Sequence, residues 1–276
     1  MLGSGSSGNC TLVEAEAQGT RVLVDAGLSA REMGERLCSA GVDPASLDAI
    51  LISHEHSDHA RGAALFSRKW GVRLMGSRGT YTALGLEEVG TAGYDVLEPL
   101  QDRAIGALTV RPLPVPHDAA GPLAFVLSCG DASIGHATDL GHLQRGLVES
   151  FRACDAVLME SNYDAGLLRD GDYPWSVKAR ILGAWGHLSN DDVGRFLAQG
   201  LGEACRTVVL AHLSQNNNHP ELVRMSAEQA LSRRGRSEVK LALTTSEGTD
   251  WMDVASPQAP RGPKQMRLEF GRHAAE

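Results

Sequence analysis

The chain has 276 residues, 42% of them hydrophobic and 22% charged, which is enough to bury the core of one large domain or two small ones. Its net charge of −8 argues mildly against a broad basic surface for nucleic acid. The lack of a long apolar run or signal-peptide pattern predicts a cytoplasmic protein outside the membrane. The five cysteines form no CxxC pair, which argues against a disulfide framework or a thiolate zinc site.

Short apolar runs recur along the chain, and each leads into a polar residue. RVLV leads into Asp25, AILIS into His54, LTVRPLPV into Pro116 and His117, SIGHAT into Asp139, DAVLM into Glu160, and TVVLA into His212. Runs of this length and composition predict strands. Between them, helical patterns at 30–40, 60–70 and 190–201 each stop before a glycine. Strands alternate with helices, so the sequence predicts an α/β fold.

The metal-binding chemistry concentrates in HEHSDH, residues 54–59, directly after a predicted strand. His54 and His56 can point one way while Asp58 and His59 point the other, so one loop can serve two adjacent ions. Imidazole and carboxylate ligands without thiolate suit zinc, manganese or iron. The alternative is a solvated polar loop, which would have to gather these side chains by accident. Isolated histidines are more often structural, and we interpret in this way His136, His142, His219 and His273.

HEHSDH resembles the HxHxDH signature of the metallo-β-lactamase fold, and His117, Asp139 and His212 follow in the order in which that superfamily supplies its remaining ligands. The motifs LGSGSSGNC, VDAGLS, HEHSDH, PHDA, ATDLG, ESN, YPWS, GHLSN and AHLS together resemble the YycJ/WalJ-like branch, whose members are regarded as DNA exonucleases. The resemblance implies a four-layer αββα sandwich with a dinuclear metal site at one edge. It also implies that the opening GSGSSGN is a native motif rather than a cloning remnant.

The resemblance further implies ligands for two divalent ions, zinc or manganese. One ion would bind His54, His56 and His117, the other would bind Asp58, His59 and His212, and Asp139 would bridge the two. Taken singly, three of these residues also have plain interpretations as a loop residue, a helix cap and a strand-end histidine, namely His117, Asp139 and His212. Together, in the expected order, they favour a metal site. Asp25 is expected either to orient a ligand imidazole or to be an ordinary turn aspartate.

Two adjacent metal ions suit the hydrolysis of a phosphodiester. The expected mechanism is attack on phosphorus by a metal-bridging hydroxide, with Asp58 at the reacting centre. The departing sugar oxygen also needs a proton, and His187 in GHLSN is the candidate general acid. Glu160 in ESN would hold the His187 imidazole in the required tautomer. The alternative is a pair of buried polar residues that only satisfy each other.

The opening stretch is a candidate for binding substrate phosphate. Its glycines allow backbone amides to turn toward an anion, and Ser4, Ser6 and Ser7 can add hydroxyl donors. The sequence therefore predicts one wall of a phosphate pocket. A glycine-rich turn leading into the first hairpin explains the same residues about as well.

Further candidates for substrate contacts lie later in the chain. Ser189 is predicted to cap the helix that begins at Asn190, with Asp192 in a capping-box arrangement, and this helix end could also meet phosphate. Asn216 and Asn217 follow AHLS and could add polar contacts. Turn preference explains the two asparagines nearly as well.

Together, these features predict a metal-dependent phosphodiesterase, which the resemblance specifies as a DNA exonuclease of DNA repair. The main alternative is a small-molecule hydrolase acting on a thioester or lactone, which the acidic balance favours. Only 72 residues separate Asp139 from His212, too few for the large cap domain that an RNA-processing branch of the superfamily inserts there. A metal-binding module without turnover has little support, because the ligand set is intact.

The last segment of the chain is predicted to be a flexible tail, 256–276, after a catalytic domain at 1–255. Three prolines within seven residues begin it, and QMRLEF follows. Gln265, Leu268 and Phe270 resemble the QxxLxF peptides with which bacterial repair and replication proteins dock on the sliding clamp. A last edge strand, or a chance match of six residues, explains the same letters.

Overall fold

The computed structural model describes residues 1–16, 19–244 and 246–254, together with the backbone of Met266–Glu269. Within these residues the strands form two seven-stranded sheets. The first sheet contains β1 (Thr11–Ala15), β2 (Thr20–Val24), β3 (Ala49–Ile52), β4 (Leu74–Gly76), β5 (Tyr94–Val96), β13 (Met252–Val254) and β14 (Met266–Glu269). The second contains β6 (Arg103–Ile105), β7 (Leu108–Pro114), β8 (Leu123–Cys129), β9 (Ala132–Ala137), β10 (Ala156–Glu160), β11 (Thr207–Ala211) and β12 (Lys240–Leu243).

Each sheet combines antiparallel and parallel strands. The first has the order β13-β14-β1-β2-β3-β4-β5, and the second has the order β12-β11-β10-β9-β8-β7-β6. Pairing is parallel from β2 to β5 and from β9 to β12. Strands β7, β8 and β9 pair antiparallel in turn, so β7 runs in the direction of β9. The six strands that the sequence predicts, β2, β3, β7, β9, β10 and β11, are confirmed.

Helices cover the outer face of each sheet. They are α1 (Ala30–Ser39), α2 (Ser57–Ala60), α3 (Ala63–Trp70), α4 (Arg78–Ala83), α5 (Leu86–Val89), α6 (Arg145–Phe151), α7 (Ala165–Asp170), α8 (Trp175–Leu182), α9 (Asn190–Arg195) and α10 (Pro220–Arg233). Helices α1 and α3 pack on the first sheet through one apolar cluster, while α6, α9 and α10 pack on the second through another. A third cluster fills the space between the sheets, where Val24 and Leu51 meet Phe125 and Leu158. The expected αββα sandwich is confirmed.

Two predicted helices differ in detail from the structure. The pattern at 60–70 is divided into α2 and α3, because Gly62 lies so close to Leu28 that an added Cβ would be 2.2 Å from the Leu28 carbonyl oxygen. The pattern at 190–201 forms α9 and then one π-helical turn, Phe196–Gly200. The hydrophobic pattern located both segments, but local packing sets where they break.

Part of the predicted tail belongs to the first sheet. Strand β14 pairs antiparallel with both β1 and β13, so that Leu268 lies opposite Val13 and Met252. For these four residues the expectation of a flexible tail is wrong. Their main chain pairs with the backbone N–H and C=O groups along one edge of β1, which would otherwise lack partners. Gln265 and Phe270, the other two residues of the predicted docking motif, lie outside the described residues.

Other expectations from composition can be compared with the structure directly. All five cysteines are free thiols, and Cys38 alone among them is exposed. Among the described residues, no helix has both the length and the apolar character needed to cross a membrane. His136 contacts the Thr11 hydroxyl, His142 contacts the Ala184 carbonyl, and His219 caps α10. These three histidines therefore have structural partners, while His273 lies outside the described residues.

Candidate metal centre

The candidate site lies at one edge of the sandwich, where strands of both sheets end. Because parallel strands bring their carboxyl ends to the same edge of a sheet, residues far apart in sequence meet there. The following residues come directly after, or within three positions of, the ends of β2, β3, β7, β9 and β11: Asp25, His54, His117, Asp139 and His212. Glu160 is the last residue of β10. The sequence pattern of apolar runs that end in polar residues thus corresponds to one edge of the fold.

The backbone at this edge is held in an unusual conformation. Asp25, Asp139 and His212 have φ values of 65°, 59° and 53°, and Leu100 is the one other non-glycine residue with positive φ in the described chain. Left-handed backbone of this kind costs about 1–3 kcal/mol per residue and persists only where the surroundings impose it. Three such residues at adjacent strand ends indicate that the fold maintains this edge at the expense of local stability.

Seven side chains form the two expected ligand groups. Within each group the ligand atoms lie within 4.8 Å of one another: one group is His54, His56 and His117, and the other is Asp58, His59 and His212. Asp139 stands between the groups. Its Oδ2 is 2.7 Å from His59 Nε2, and its Oδ1 is 3.9 Å from His117 Nε2. Asp139 Oδ1 also lies 3.3 Å from His212 Nδ1, and Asp139 forms a further cluster with His54 of the first group and His59 of the second. The Asp139 carboxylate is thus close to ligand atoms of both groups, as a bridging ligand requires.

The contacts of His59 show that this cluster fits a cation. His59 Nδ1 lies 2.8 Å from Asp25 Oδ2, and its Nε2 lies 2.7 Å from Asp139 Oδ2. Burial opposes protonation of His59, but the Asp139 and Asp25 carboxylates raise its pKa well above the ordinary value. The position between these two carboxylates thus favours positive charge, which an imidazolium supplies and which a metal ion on Nε2 would supply in its place. Asp25, which also accepts the Ser53 backbone N–H at 2.8 Å, has the position expected of a residue that orients a ligand imidazole.

Other ligand imidazoles are also oriented from behind. His54 Nδ1 contacts the Ser53 hydroxyl at 3.0 Å, while its buried Nε2 has no hydrogen-bond partner. His117 Nδ1 donates to the Gly186 carbonyl at 3.0 Å, which leaves its Nε2 facing His56 Nδ1 at 3.3 Å. Fixing one ring nitrogen in this way makes the other an available metal ligand. The sequence identified neither Ser53, which is the immediate neighbour of His54, nor Gly186, which reaches His117 through a tertiary contact.

The charges of the cluster also favour a bound cation. Burial by itself would raise the pKa of Asp139, but the His212 and His59 imidazoles hold it well below its usual range. Burial lowers the pKa of His54 well below its ordinary value, which keeps this imidazole neutral as metal ligation requires. Burial opposes protonation of His212, but the Asp139 carboxylate raises the pKa of His212 to about 10. Ionised buried carboxylates need compensating positive charge, which protonated imidazoles or metal ions can supply.

His187 and Glu160 form the expected pair beside the ligands. His187 Nδ1 donates to Glu160 Oε2 at 3.0 Å and lies 3.3 Å from Asp139 Oδ1. Glu160 is fully buried, and its Oε1 accepts the backbone N–H groups of Leu140 and Leu188 at 2.8 and 3.0 Å. Burial lowers the pKa of His187, but the Glu160 carboxylate raises it by more. The His187 side chain is 20% exposed and lines the cavity over the cluster.

The opening glycine-serine stretch supports the metal loop from behind. The Asn9 N–H donates to the Asp58 carbonyl at 2.7 Å, and the Asn9 amide nitrogen lies 3.0 Å from His59 Nε2. Gly5, with φ of 100°, donates its N–H to Asn9 Oδ1 at 2.9 Å. Ser4 is buried, and its hydroxyl accepts the His212 backbone N–H at 2.8 Å. Sequence analysis missed Asn9, although it belongs to the quoted motif LGSGSSGNC.

The predicted substrate contacts are distributed differently from expectation. Ser6 lines the cavity, whereas Ser7 is exposed and is absent from the cavity lining. Ser189 and Asp192 form the predicted capping box, which uses the first turn of α9 for local hydrogen bonds. Asn216 donates to the Tyr173 hydroxyl at 2.8 Å, and Asn217 is buried with its N–H on the Ser214 hydroxyl at 3.1 Å. Of these residues, Ser6 lines the cavity, while the side chains of Ser4, Ser189 and Asn216 and the backbone of Asn217 form hydrogen bonds within the protein.

A cavity of about 230 Å³ opens over the ligand cluster. Beside the ligands it is lined by Tyr173, Arg180 and Ile181, which come from α8 and the turn before it. The Arg180 guanidinium is held at the wall by its Nε, which donates to Asp118 Oδ2 at 2.5 Å. Sequence analysis identified none of the three, because nothing in the local pattern of α8 indicates which way it faces.

Comparisons with known proteins agree with this geometry. The sequence profile of the Metallo-beta-lactamase superfamily matches residues 3–187. Exodeoxyribonuclease WalJ of Streptococcus pneumoniae is 35% identical over 237 residues, which cover 84% of this chain and 87% of that protein. Exodeoxyribonuclease YycJ of Bacillus anthracis is 32% identical over 237 residues, covering 85% and 89%.

The fold also recurs in solved structures. The metallo-beta-lactamase fold protein YhfI from Bacillus subtilis superposes with a TM-score of 0.66 at 17% identity, covering 89% of this chain and 95% of that chain. At this identity the similarity concerns the fold alone. The matched profile and the two curated relatives extend over most of the chain, and histidine and aspartate clusters that could hold metal lie at one edge of its fold. The chain is therefore a metallo-β-lactamase-fold, metal-dependent hydrolase that belongs to the WalJ/YycJ family.

Proposed function

We propose that this hydrolase is a two-metal phosphodiesterase that removes nucleotides from the ends of DNA, and that it acts in DNA repair. The observation that carries the proposal is the position of Asp139, whose carboxylate clusters with His54 of one ligand group and His59 of the other. A shared carboxylate suits a pair of adjacent ions, and paired ions are suited to displacement at phosphorus. The names of the WalJ and YycJ relatives support DNA as the substrate.

The residues would divide the work in the following way. His54, His56 and His117 would hold one ion, Asp58, His59 and His212 the other, and Asp139 both. When bound, two zinc or manganese ions lower the pKa of water and neutralise charge on phosphoryl oxygens. Asp58 lines the cavity, and its Oδ2 lies 3.4 Å from both His59 Nε2 and His212 Nε2. The Asp58 carboxylate is thus close to the position where the reacting phosphorus would lie.

His187 is suited to protonate the departing sugar oxygen. Its Nδ1–H donates to Glu160, which leaves Nε2 as the ring nitrogen available to a substrate in the cavity. Glu160 is itself fixed by the Leu140 and Leu188 backbone N–H groups, so the imidazole is held in one orientation. Burial opposes protonation of His187, but the Glu160 and Asp139 carboxylates raise its pKa and favour the imidazolium, whose Nε2 carries the proton that a general acid donates.

The proposal can be tested against the main alternative in one set of assays. Purified protein would be loaded with Mn²⁺ or Zn²⁺ and incubated with end-labelled DNA, a generic thioester and a lactone. We expect cleavage of DNA and little turnover of the other two substrates. Thioester or lactone hydrolysis without DNA cleavage would instead identify a small-molecule hydrolase.

We also propose that QMRLEF docks on the sliding clamp of the host, which would raise the local DNA concentration without a basic surface. Because Leu268 lies in β14, docking would require this strand to leave β1. A peptide spanning residues 262–276 should therefore bind the clamp at micromolar affinity and more tightly than the full chain does. Gln265→Ala with Leu268→Ala should remove binding, and failure of the unaltered peptide to bind would contradict the proposal.

A cytoplasmic location fits the same proposal. The two nuclease relatives come from bacteria, whose chromosome lies in the cytoplasm. Fractionation of cells that express the tagged protein would test this location. Recovery of the protein outside the cytoplasmic fraction would contradict it.

A further inference from the structure

Helix α8 is an exposed helix at the rim of the catalytic cavity. Lys178 is its one buried residue, while Trp175 is 71% exposed and Val177 and Leu182 are exposed as well. Just beyond the helix, Trp185 is 60% exposed. Large aromatic side chains are usually well covered in a folded protein, so two exposed indoles at one rim indicate a surface that binds something.

The two indoles lie on either side of the residues that line the cavity. Trp175 is two positions after Tyr173, which is joined to the loop after His212 through Asn216. Trp185 is two positions before His187, and its carbonyl accepts the Asp118 N–H at 3.1 Å beside His117. Each exposed indole is therefore two positions along the chain from a residue that lines the cavity, Tyr173 at one end of α8 and His187 beyond the other.

The helix is fixed in place without covering its apolar side chains. Lys178 Nζ donates to the carbonyls of Arg169 and Gly171 at 2.7 and 2.6 Å, at the carboxyl end of α7. This buried ammonium anchors α8 to the rest of the domain. Arg180 lines the cavity and lies five positions after Trp175, which corresponds to about 7–8 Å along the helix. Because five positions also turn a helix by about 140°, Trp175 and Arg180 project from different sides of α8.

We propose that Trp175 and Trp185 form a base-stacking platform for the single-stranded end of a DNA substrate, with Arg180 contacting the phosphate that enters the cavity. The inference rests on the proposed function and names the form of DNA that the site accepts. Stacking tolerates any base sequence, because every base has an aromatic face. It also accounts for binding by a chain with a net charge of −8, since stacking does not need an extended basic surface.

The test measures DNA binding by the metal-loaded full chain. The probe is a fluorescent single-stranded oligonucleotide with nuclease-resistant phosphorothioate linkages, and the readout is anisotropy. Trp175→Ala and Trp185→Ala should each weaken binding about 5- to 100-fold, which is the range for one lost base stack. Met225→Ala is the matched control, because Met225 is 64% exposed on α10 away from the cavity, and it should bind as the unaltered protein does.

Three further measurements separate base stacking at a single-stranded end from a direct effect on catalysis, from charge attraction and from duplex binding. On cleavable single-stranded DNA, KM of the tryptophan variants should rise by about the same 5- to 100-fold as the loss of binding. Their kcat at saturating DNA should fall much less. Arg180→Ala should reduce the salt dependence of binding, with a slope of log K against log[salt] that is smaller by about 0.7, as expected for one lost phosphate contact to a single strand. A blunt duplex should bind the unaltered protein more weakly than the same duplex with a single-stranded overhang.

The outcomes distinguish this inference from the proposed function. Tryptophan variants that bind the oligonucleotide like Met225→Ala would overturn the platform, whatever the enzyme hydrolyses. Variants that leave DNA binding intact but convert a dimer into a monomer in sedimentation would identify α8 as a contact between copies and would also overturn it. If the unaltered protein fails to hydrolyse both DNA and bis(p-nitrophenyl) phosphate while the tryptophan variants still lose binding, the proposed function fails and the platform stands.

Discussion

Replacing His187 with alanine should separate proton donation from metal binding. His187 lies outside the two expected ligand groups, although it forms a further cluster with Asp139, Glu160 and His212. Its Nδ1 lies 3.0 Å from Glu160 Oε2 and 3.3 Å from Asp139 Oδ1. Glu160 would keep its two backbone N–H donors and His212 Nδ1 at 3.4 Å, so the variant should fold and retain its metals. Loss of a general acid typically lowers turnover by about 10²- to 10⁴-fold. This corresponds to about 3–5 kcal/mol of transition-state stabilisation.

The assay compares two substrates under single-turnover conditions. On DNA, His187→Ala should lower the single-turnover rate by about 10²- to 10⁴-fold, because the sugar oxygen is a poor leaving group. The variant should lose much less activity on bis(p-nitrophenyl) phosphate, whose nitrophenolate departs without a proton. His219→Ala is the control, because it removes an exposed histidine at the start of α10 and should keep full activity. Equal losses on both substrates, or loss of metal measured by mass spectrometry, would refute the assignment of His187 as general acid.

Three other predictions concern the metal site and its surroundings. Asp139→Ala should abolish DNA cleavage and lower the metal content per chain, measured by elemental analysis, because both ligand groups lose a shared carboxylate; full cleavage by metal-depleted Asp139→Ala protein would exclude the mechanism. Chelation should lower Tm by about 5–10 °C, since metal at 100 times its Kd adds about 2.7 kcal/mol, and an unchanged Tm would argue against tightly bound ions. Burial lowers the pKa of His136 to about 4, so the unfolded chain takes up a proton first as pH falls. In chelator, the unaltered protein should therefore lose about 2 kcal/mol more unfolding free energy than His136→Gln between pH 7 and pH 5, and parallel urea curves would contradict this.

The clustering of the candidate metal ligands could be predicted from the sequence because their positions depend on strand ends. Each apolar run identifies a buried strand, and the residue that follows it must lie at the carboxyl edge of a sheet. His54, His117 and Asp139 meet for this reason, although dozens of residues separate them in the chain. The compact motif at 54–59 then fixes the position of the metal site within that edge.

The substrate contacts could not be predicted in the same way, because they depend on how loops fold over the edge. Ser4 and Asn217 have suitable side chains, but their hydrogen bonds go to the His212 backbone and to Ser214. Tyr173 and Arg180 line the cavity because α8 is anchored there by Lys178, a contact with no local sequence signal. Composition likewise suggested a flexible tail where the structure has β14. This strand forms by pairing with β1, and that pairing has no signal in the local sequence.

The central claim, metal-dependent removal of nucleotides from DNA ends, is tested most directly by comparing linear and covalently closed circular DNA of the same sequence. Protein loaded with Mn²⁺ or Zn²⁺ should convert end-labelled linear DNA progressively to mononucleotides and leave the circle intact. Chelator should stop the reaction, and restored metal should restart it. Cleavage of the closed circle at a comparable rate, or intact linear DNA after incubation with fully metal-loaded protein, would contradict the claim.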